Sequence, residues 1–255
     1  LRMTLIGVDP ENMAGIDVAL WDLWSSALGL PLYRVIGGFR SQIPVCLVGQ
    51  AVDDPGQATA EASAAVRRGF CGYRLSGTTT EIGVMAPASV RNRVIEVVSA
   101  VRDAVAWDYP LVYGGSCSFS YSEALLIGRA LDDAGYTWFE DPFPAVDALT
   151  LRRLADDLDT PVLATVSGID GGRQAAEHLA QQSVDLLRIR VTSVGGISNA
   201  LKIVRAAESF GVNCELDPDD GHGGFISAAL MGACRNAMFL YSNPREQGNL
   251  GRGGY

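Results

Sequence analysis

Short apolar runs alternate with amphipathic stretches along nearly the whole chain. Runs of strand length fall at Ile43–Val48, Gly72–Leu75, Pro110–Tyr113, Thr137–Glu140, Val162–Thr165, Asp185–Ile189, Asn213–Leu216 and Met238–Tyr241. Between them apolar positions recur with a period of about 3.6 residues, the mark of a helix with one buried face. This predicts helices over Pro55–Arg68, Val90–Ala106, Ser122–Ala134, Ala148–Leu158, Gly172–Gln181, Ser198–Phe210 and Ile226–Cys234. A further helix, Met13–Leu28, precedes the first strand and carries Trp21 and Trp24 on adjoining faces, where packing is a simpler role than a stacking platform. Ser122 and Ser198 are placed as capping serines, and Gly69, Gly135 and Gly211 as helix stops.

The strands recur roughly every 25–30 residues, the period of a β/α unit. Eight such units in one chain predict an α/β fold of the (β/α)₈ barrel type. A doubly wound open sheet is the alternative, but Gly37-Gly38-Phe39 is not the phosphate fingerprint that commonly follows the first strand of that fold. The expected organisation is a lead-in segment over 1–40, a barrel over 41–243 and a tail over 244–255. Gly77–Ala88 is the longest irregular stretch and is a candidate cover for a site.

A net charge of −9 over 255 residues argues against a nucleic-acid partner. No basic cluster suits a membrane surface, and no apolar run is long enough to span one. A charged-then-apolar leader is also missing, so a cytoplasmic location is expected. The five cysteines, Cys46, Cys71, Cys117, Cys214 and Cys234, lack metal or redox spacing and read as reduced and structural.

The chemistry-bearing feature is Trp138-Phe-Glu-Asp-Pro142, an apolar strand running into two carboxylates and stopped by proline. Sites in parallel α/β proteins form at such strand ends. Glu140 is a metal ligand or the salt-bridge partner of Arg74 or Arg190, and the ion pair is the preferred reading. The segment Asp217-Pro-Asp-Asp-Gly-His222 is an acid/base cluster or, more simply, a solvated acidic loop. Gly114-Gly115-Ser116 and Gly195-Gly196 could cradle an anion or merely turn the chain. Lys202 is the one lysine, and His178 and His222 are the two histidines. His178 falls within a helix, as a surface or packing residue.

Three motifs together resemble one family. They are Ala14-Gly-Ile-Asp-Val-Ala-Leu-Trp-Asp-Leu-Trp24 with Leu28-Gly-Leu-Pro-Leu-Tyr33, then Ala134-Gly-Tyr-Thr-Trp-Phe-Glu-Asp-Pro142, then Val194-Gly-Gly-Ile-Ser-Asn-Ala-Leu-Lys-Ile-Val204. The chain resembles the mandelate racemase and muconate lactonizing enzyme-like group of the enolase superfamily, acid-sugar dehydratases included. That resemblance implies proton abstraction beside a carboxylate, with the enediolate stabilised by Mg²⁺. It also implies an N-terminal capping domain, most of which this sequence lacks, and a homo-oligomer.

Carried over position by position, the resemblance places Arg74 and Ser76 at the strand-two lysines, Arg190 at the strand-six aspartate and Asp217 at the strand-seven histidine. Glu140 matches one of three metal carboxylates, with Gly114 and Val166 at the other two. Arginine is a poor base because it does not deprotonate in proteins, and glycine and valine offer Mg²⁺ no side-chain oxygen. The expectation is an impaired enzyme that binds at most a small carboxylate or acid sugar through Arg74, Arg190 and His222. The alternative is an active metal-dependent lyase (dehydratase) or isomerase (racemase, epimerase or cycloisomerase) with a rearranged site.

Overall fold

The computed structural model describes residues 10–51, 54–77, 88–115, 119–143, 147–168, 170–217 and 224–242. Helices α1 (Pro10–Leu28) and α2 (Leu32–Ile36) lead in. Among the described residues, eight strands alternating with seven helices follow: β1 (Val45–Ala51), α3 (Pro55–Arg67), β2 (Gly72–Ser76), α4 (Ala88–Asp103), β3 (Leu111–Gly114), α5 (Tyr121–Asp133), β4 (Trp138–Glu140), α6 (Ala148–Asp157), β5 (Val162–Val166), α7 (Gly171–Gln181), β6 (Leu186–Arg190), α8 (Ile197–Ser209), β7 (Asn213–Asp217), α9 (Phe225–Ala233) and β8 (Leu240–Ser242). The strands form a closed barrel in chain order, with β8 pairing β1 in parallel. The fold is the expected (β/α)₈ barrel.

Side chains alternate across each strand, which sorts the apolar residues into two cores. Tyr73, Leu75, Ala164, Val166, Leu187, Ile189 and Leu216 face the helices and pack with their buried stripes. Cys46, Val112, Trp138, Leu163, Leu186, Phe239 and Tyr241 fill the barrel interior. Charged side chains lie one inward position further toward the carboxyl ends of β2, β4 and β6, beside Trp138 and Tyr241.

Two expected caps are corrected. The cap of α5 is Ser120, not Ser122: its side chain and that of Glu123 form a reciprocal capping box. Helix α8 starts at Gly196 without a side-chain cap of its own. Instead Asp17 of α1 accepts from the Ser198 backbone N at 2.9 Å and from Ser198 Oγ at 2.5 Å, and Trp21 Nε1 donates to Ser198 Oγ at 2.9 Å. A lead-in helix thus caps a barrel helix distant in sequence. Trp21 packs against the core, while Trp24 is about half exposed, its ring 5.2 Å from that of Trp21. Gly69, Gly135 and Gly211 do follow helix ends at positive φ, as glycine stops should.

Candidate active site

The barrel centre is organised around one carboxylate. Glu140 ends β4 and is fully buried. Its Oε2 accepts from Arg74 Nε and, at 2.8 Å, from Arg188 Nη1. Its Oε1 accepts from Arg188 Nη2, from Trp138 Nε1 at 3.0 Å and from Tyr241 OH at 3.2 Å. Burial pushes this carboxyl up, but Arg188 and Arg74 outweigh burial and hold its pKa down to about 2. Arg188 lies over the Tyr241 ring at 4.4 Å, a cation–π contact that adds to its hold. Burial opposes its charge as well, and Glu140 more than offsets that.

Arg74 is also tied sideways. Its Nη1 donates to Ser76 Oγ at 2.9 Å, and Ser76 Oγ donates to the Gly49 carbonyl at 2.9 Å. The space for its guanidinium comes from Gly114, which pairs with Ser76 on one side and Glu140 on the other. A Cβ built on Gly114 would overlap that guanidinium, at 2.6 Å from Cζ.

A second buried carboxyl, Glu215, sits beside Arg188 across the β6–β7 pairing. It accepts from the backbone N–H groups of Met238 at 3.0 Å and Phe239 at 3.1 Å. Burial dominates there and pushes its pKa up to about 7.

The rim is a separate arrangement. Arg190 Nε donates to Asp217 Oδ2 at 3.2 Å, with the two side chains 53% and 27% exposed. Arg190 is therefore not the partner of Glu140. The structure gives that role to Arg74 together with Arg188, a residue not singled out from the sequence. The signal was present: Arg188 lies two residues before Arg190 and so on the same inward face, within an otherwise apolar strand.

Val166 corrects a second placement. It faces the helices within the outer core, whereas the inward position near this end of β5 is Thr165. Thr165 is occupied by Asp141, whose carboxylate accepts from its backbone N at 2.8 Å and its Oγ1 at 2.6 Å. Asp141 itself is left-handed at φ 43, so it shapes the loop after β4. His222, Asp219, Asp220, Ser116 and Cys117 lie outside the described residues, as do 78–87 and the tail 244–255. His178 is buried and bonds Ser183 Oγ through Nδ1 at 2.8 Å. Lys202 is exposed on α8 and donates to Asn199 Oδ1 at 3.3 Å.

Residues 57–246 match the family model described as enolase C-terminal domain-like. The chain belongs to this enolase family. It is 32% identical over 203 residues to the L-Ala-D/L-Glu epimerase of Bacillus subtilis, covering 79% of this chain and 52% of that protein. It is 27% identical over 215 residues to arabinonate dehydratase of Saccharolobus solfataricus, covering 83% and 55% respectively. Among solved structures, D-glucarate dehydratase from Agrobacterium tumefaciens complexed with magnesium superposes with a TM-score of 0.78 at 28% identity, over 91% of this chain and 60% of that one. A substrate-liganded complex of the Bacillus subtilis epimerase gives 0.78 at 26% identity, over 90% and 62%. The enolase-family relatives are thus epimerases, racemases and acid-sugar dehydratases. The chain spans about half the length of the curated relatives it matches.

Among the described residues, the donor set at the barrel centre does not fit Mg²⁺, which requires hard oxygen ligands in near-octahedral geometry. Among the described residues, no group of three or more His, Cys, Asp or Glu side chains could hold a metal. Both oxygens of Glu140 already face cationic or polar donors. Gly114 supplies no oxygen, and Arg74 fills the space beside it. Among the described residues no helix is long and apolar enough to cross a membrane.

Proposed function

We propose that this enolase-family chain works without a divalent ion at its barrel centre and binds a small carboxylate, such as an acid sugar, at the rim through Arg190. The observation that carries this reading is the saturation of Glu140 by two guanidinium groups. Carbon-acid chemistry needs a base beside the substrate and positive charge where the enediolate forms. Arg74 cannot act as the base, and its charge is already committed to Glu140. The family's proton abstraction therefore lacks its central parts here, and catalysis is impaired.

Arg190 is differently placed. It is half exposed at the carboxyl end of β6, and Asp217 engages its Nε. The Nη groups remain available to form a two-bond fork with a carboxylate. Asp217 lowers the net charge of the rim, so affinity should be modest and should rise when Asp217 is neutralised.

A second reading is favoured by the relatives, which are working epimerases and dehydratases. In it, a divalent-metal lyase or isomerase uses Glu140 and the acidic loop that begins at Asp217. Thermal denaturation with acid sugars and dipeptides, each with chelator or with Mg²⁺, separates the two. We expect stabilisation by at least one acid in chelator, lost in Arg190→Ala. Stabilisation that appears only with added Mg²⁺ would favour the metal-dependent enzyme and overturn this proposal.

A further inference from the structure

We infer that Arg74 and Arg188 are a built-in replacement for a divalent cation, and that Gly114 is glycine in order to admit the Arg74 guanidinium. This rests on the reading that the barrel centre is metal-free, and it assigns specific residues the work a bound ion would otherwise do.

Charge is the first argument. A buried carboxylate is costly to leave unpaired, and a divalent ion would offset it with two positive charges. Two guanidinium groups carry the same formal charge to the same place, both bonded to Glu140 and both largely shielded from water. Glu215 on β7, the strand partner of Arg188, lies beside this pair but, with its pKa pushed up to about 7, offsets the remaining charge only in part.

Space is the second. Glycine at a strand end usually needs a reason in the backbone, but Gly114 is not among the glycines with positive φ. Its backbone would accept any residue. What it lacks is room, because a Cβ there would overlap Arg74. Gly114 and Arg74 are therefore one device: while Arg74 holds its bonds to Glu140 and Ser76, a side chain on β3 and this guanidinium compete for the same space. The side bonds of Arg74 through Ser76 to Gly49 fix it in that space.

The same geometry implies that the site can be reconverted. Removing Arg74 while placing a carboxylate at 114 leaves two adjacent acids, on β3 and β4, with only Arg188 to offset them in part. Such a pair binds a hard divalent ion. The test compares the parent chain, Gly114→Asp, Arg74→Ala and the double variant Gly114→Asp/Arg74→Ala. Mn²⁺ is the probe, because its paramagnetic signal reports free ion and it shares the oxygen preference of Mg²⁺.

We expect Gly114→Asp alone to lower the melting temperature. In the Arg74→Ala background the same change should cost less, and the double variant should be stabilised by Mn²⁺. It should bind Mn²⁺ about tenfold or more tightly than the parent, a change of about 1.4 kcal/mol or more. The inference is overturned if Gly114→Asp is as stable as the parent, if the double variant shows no gain in Mn²⁺ binding, or if it fails to fold with Mn²⁺ present while Arg74→Ala folds. Those failures with a metal-free parent leave the preceding proposal standing. Tight Mn²⁺ binding by the parent, lost in Glu140→Gln, would remove both.

Discussion

At the scale of the residue, the centre of the barrel is a test of what a buried charge needs. Glu140 is tolerable because Arg74, Arg188, Trp138 and Tyr241 all donate to it. Glu140→Gln removes the counter-charge of two arginines and leaves them facing each other. Breaking a buried pair from one side costs about 3–5 kcal/mol, and we expect a loss of that order in urea denaturation. The same site sets a pH signature. Glu140, held down to about 2 from an ordinary 4.5, contributes stability above pH 4.5 that is lost as pH falls toward 2. Glu215 has the opposite sign. Its folded pKa of about 7 lies above the ordinary 4.5, so its contribution is full below pH 4.5 and is lost as pH rises through 7. Denaturation between pH 3 and 8 should therefore show the maximum from these two groups near pH 4.5–5. Glu215→Gln should flatten the decline on the alkaline side; an unchanged decline would place its cause elsewhere.

Which residues were legible follows from the same physics. Glu140 was marked by its strand end, and the need of a buried carboxylate for a cation pointed to Arg74. Arg188 went unread because the sequence shows which face a residue takes but not how deep in the barrel its head group settles. Val166 failed by one residue of register. In a strand that error exchanges the barrel interior for the helix side, and the uniformly apolar run Val162–Ala164 gave no polar beat to fix the phase.

At the scale of the element, strands and helices were readable because every β/α unit buries both faces of its strand and one stripe of its helix. The short helix α2 was not read, since five residues carry too little periodicity. Neither was the long-range cap of α8 by Asp17, which is invisible to any local rule. A second tertiary tie, Arg102, is the more consequential. It is buried at the end of α4 and donates to the carbonyls of Ala106, Trp107, Tyr109, Ala134 and Gly135. It closes the α4–β3 connection against the end of α5, where backbone carbonyls carry partial negative charge. Arg102→Ala leaves these carbonyls short of a donor; the contact with Ala134 is buried and the others are partly open to water, so the cost of about 1–3 kcal/mol for an unmet buried group is not incurred at all of them. The expected outcome is a loss of about 2–4 kcal/mol, with faster amide exchange in residues 104–109 and 134–136. Loss of stability without that local exchange would contradict the clamp.

At the scale of the whole molecule, the barrel architecture of the family holds two arginines and a glutamate bonded together at its centre. The closed eight-strand order and the family match agree with the expectation from pattern and motif. Fold alone does not fix chemistry, and here the scaffold of epimerases and dehydratases encloses an arginine–glutamate cluster. Calorimetric titration of Mg²⁺ into the chelator-treated chain at neutral pH tests this account most directly. No saturable binding heat is expected, in the parent or in Glu140→Gln. Tight one-to-one binding in the parent, abolished in Glu140→Gln, would contradict it.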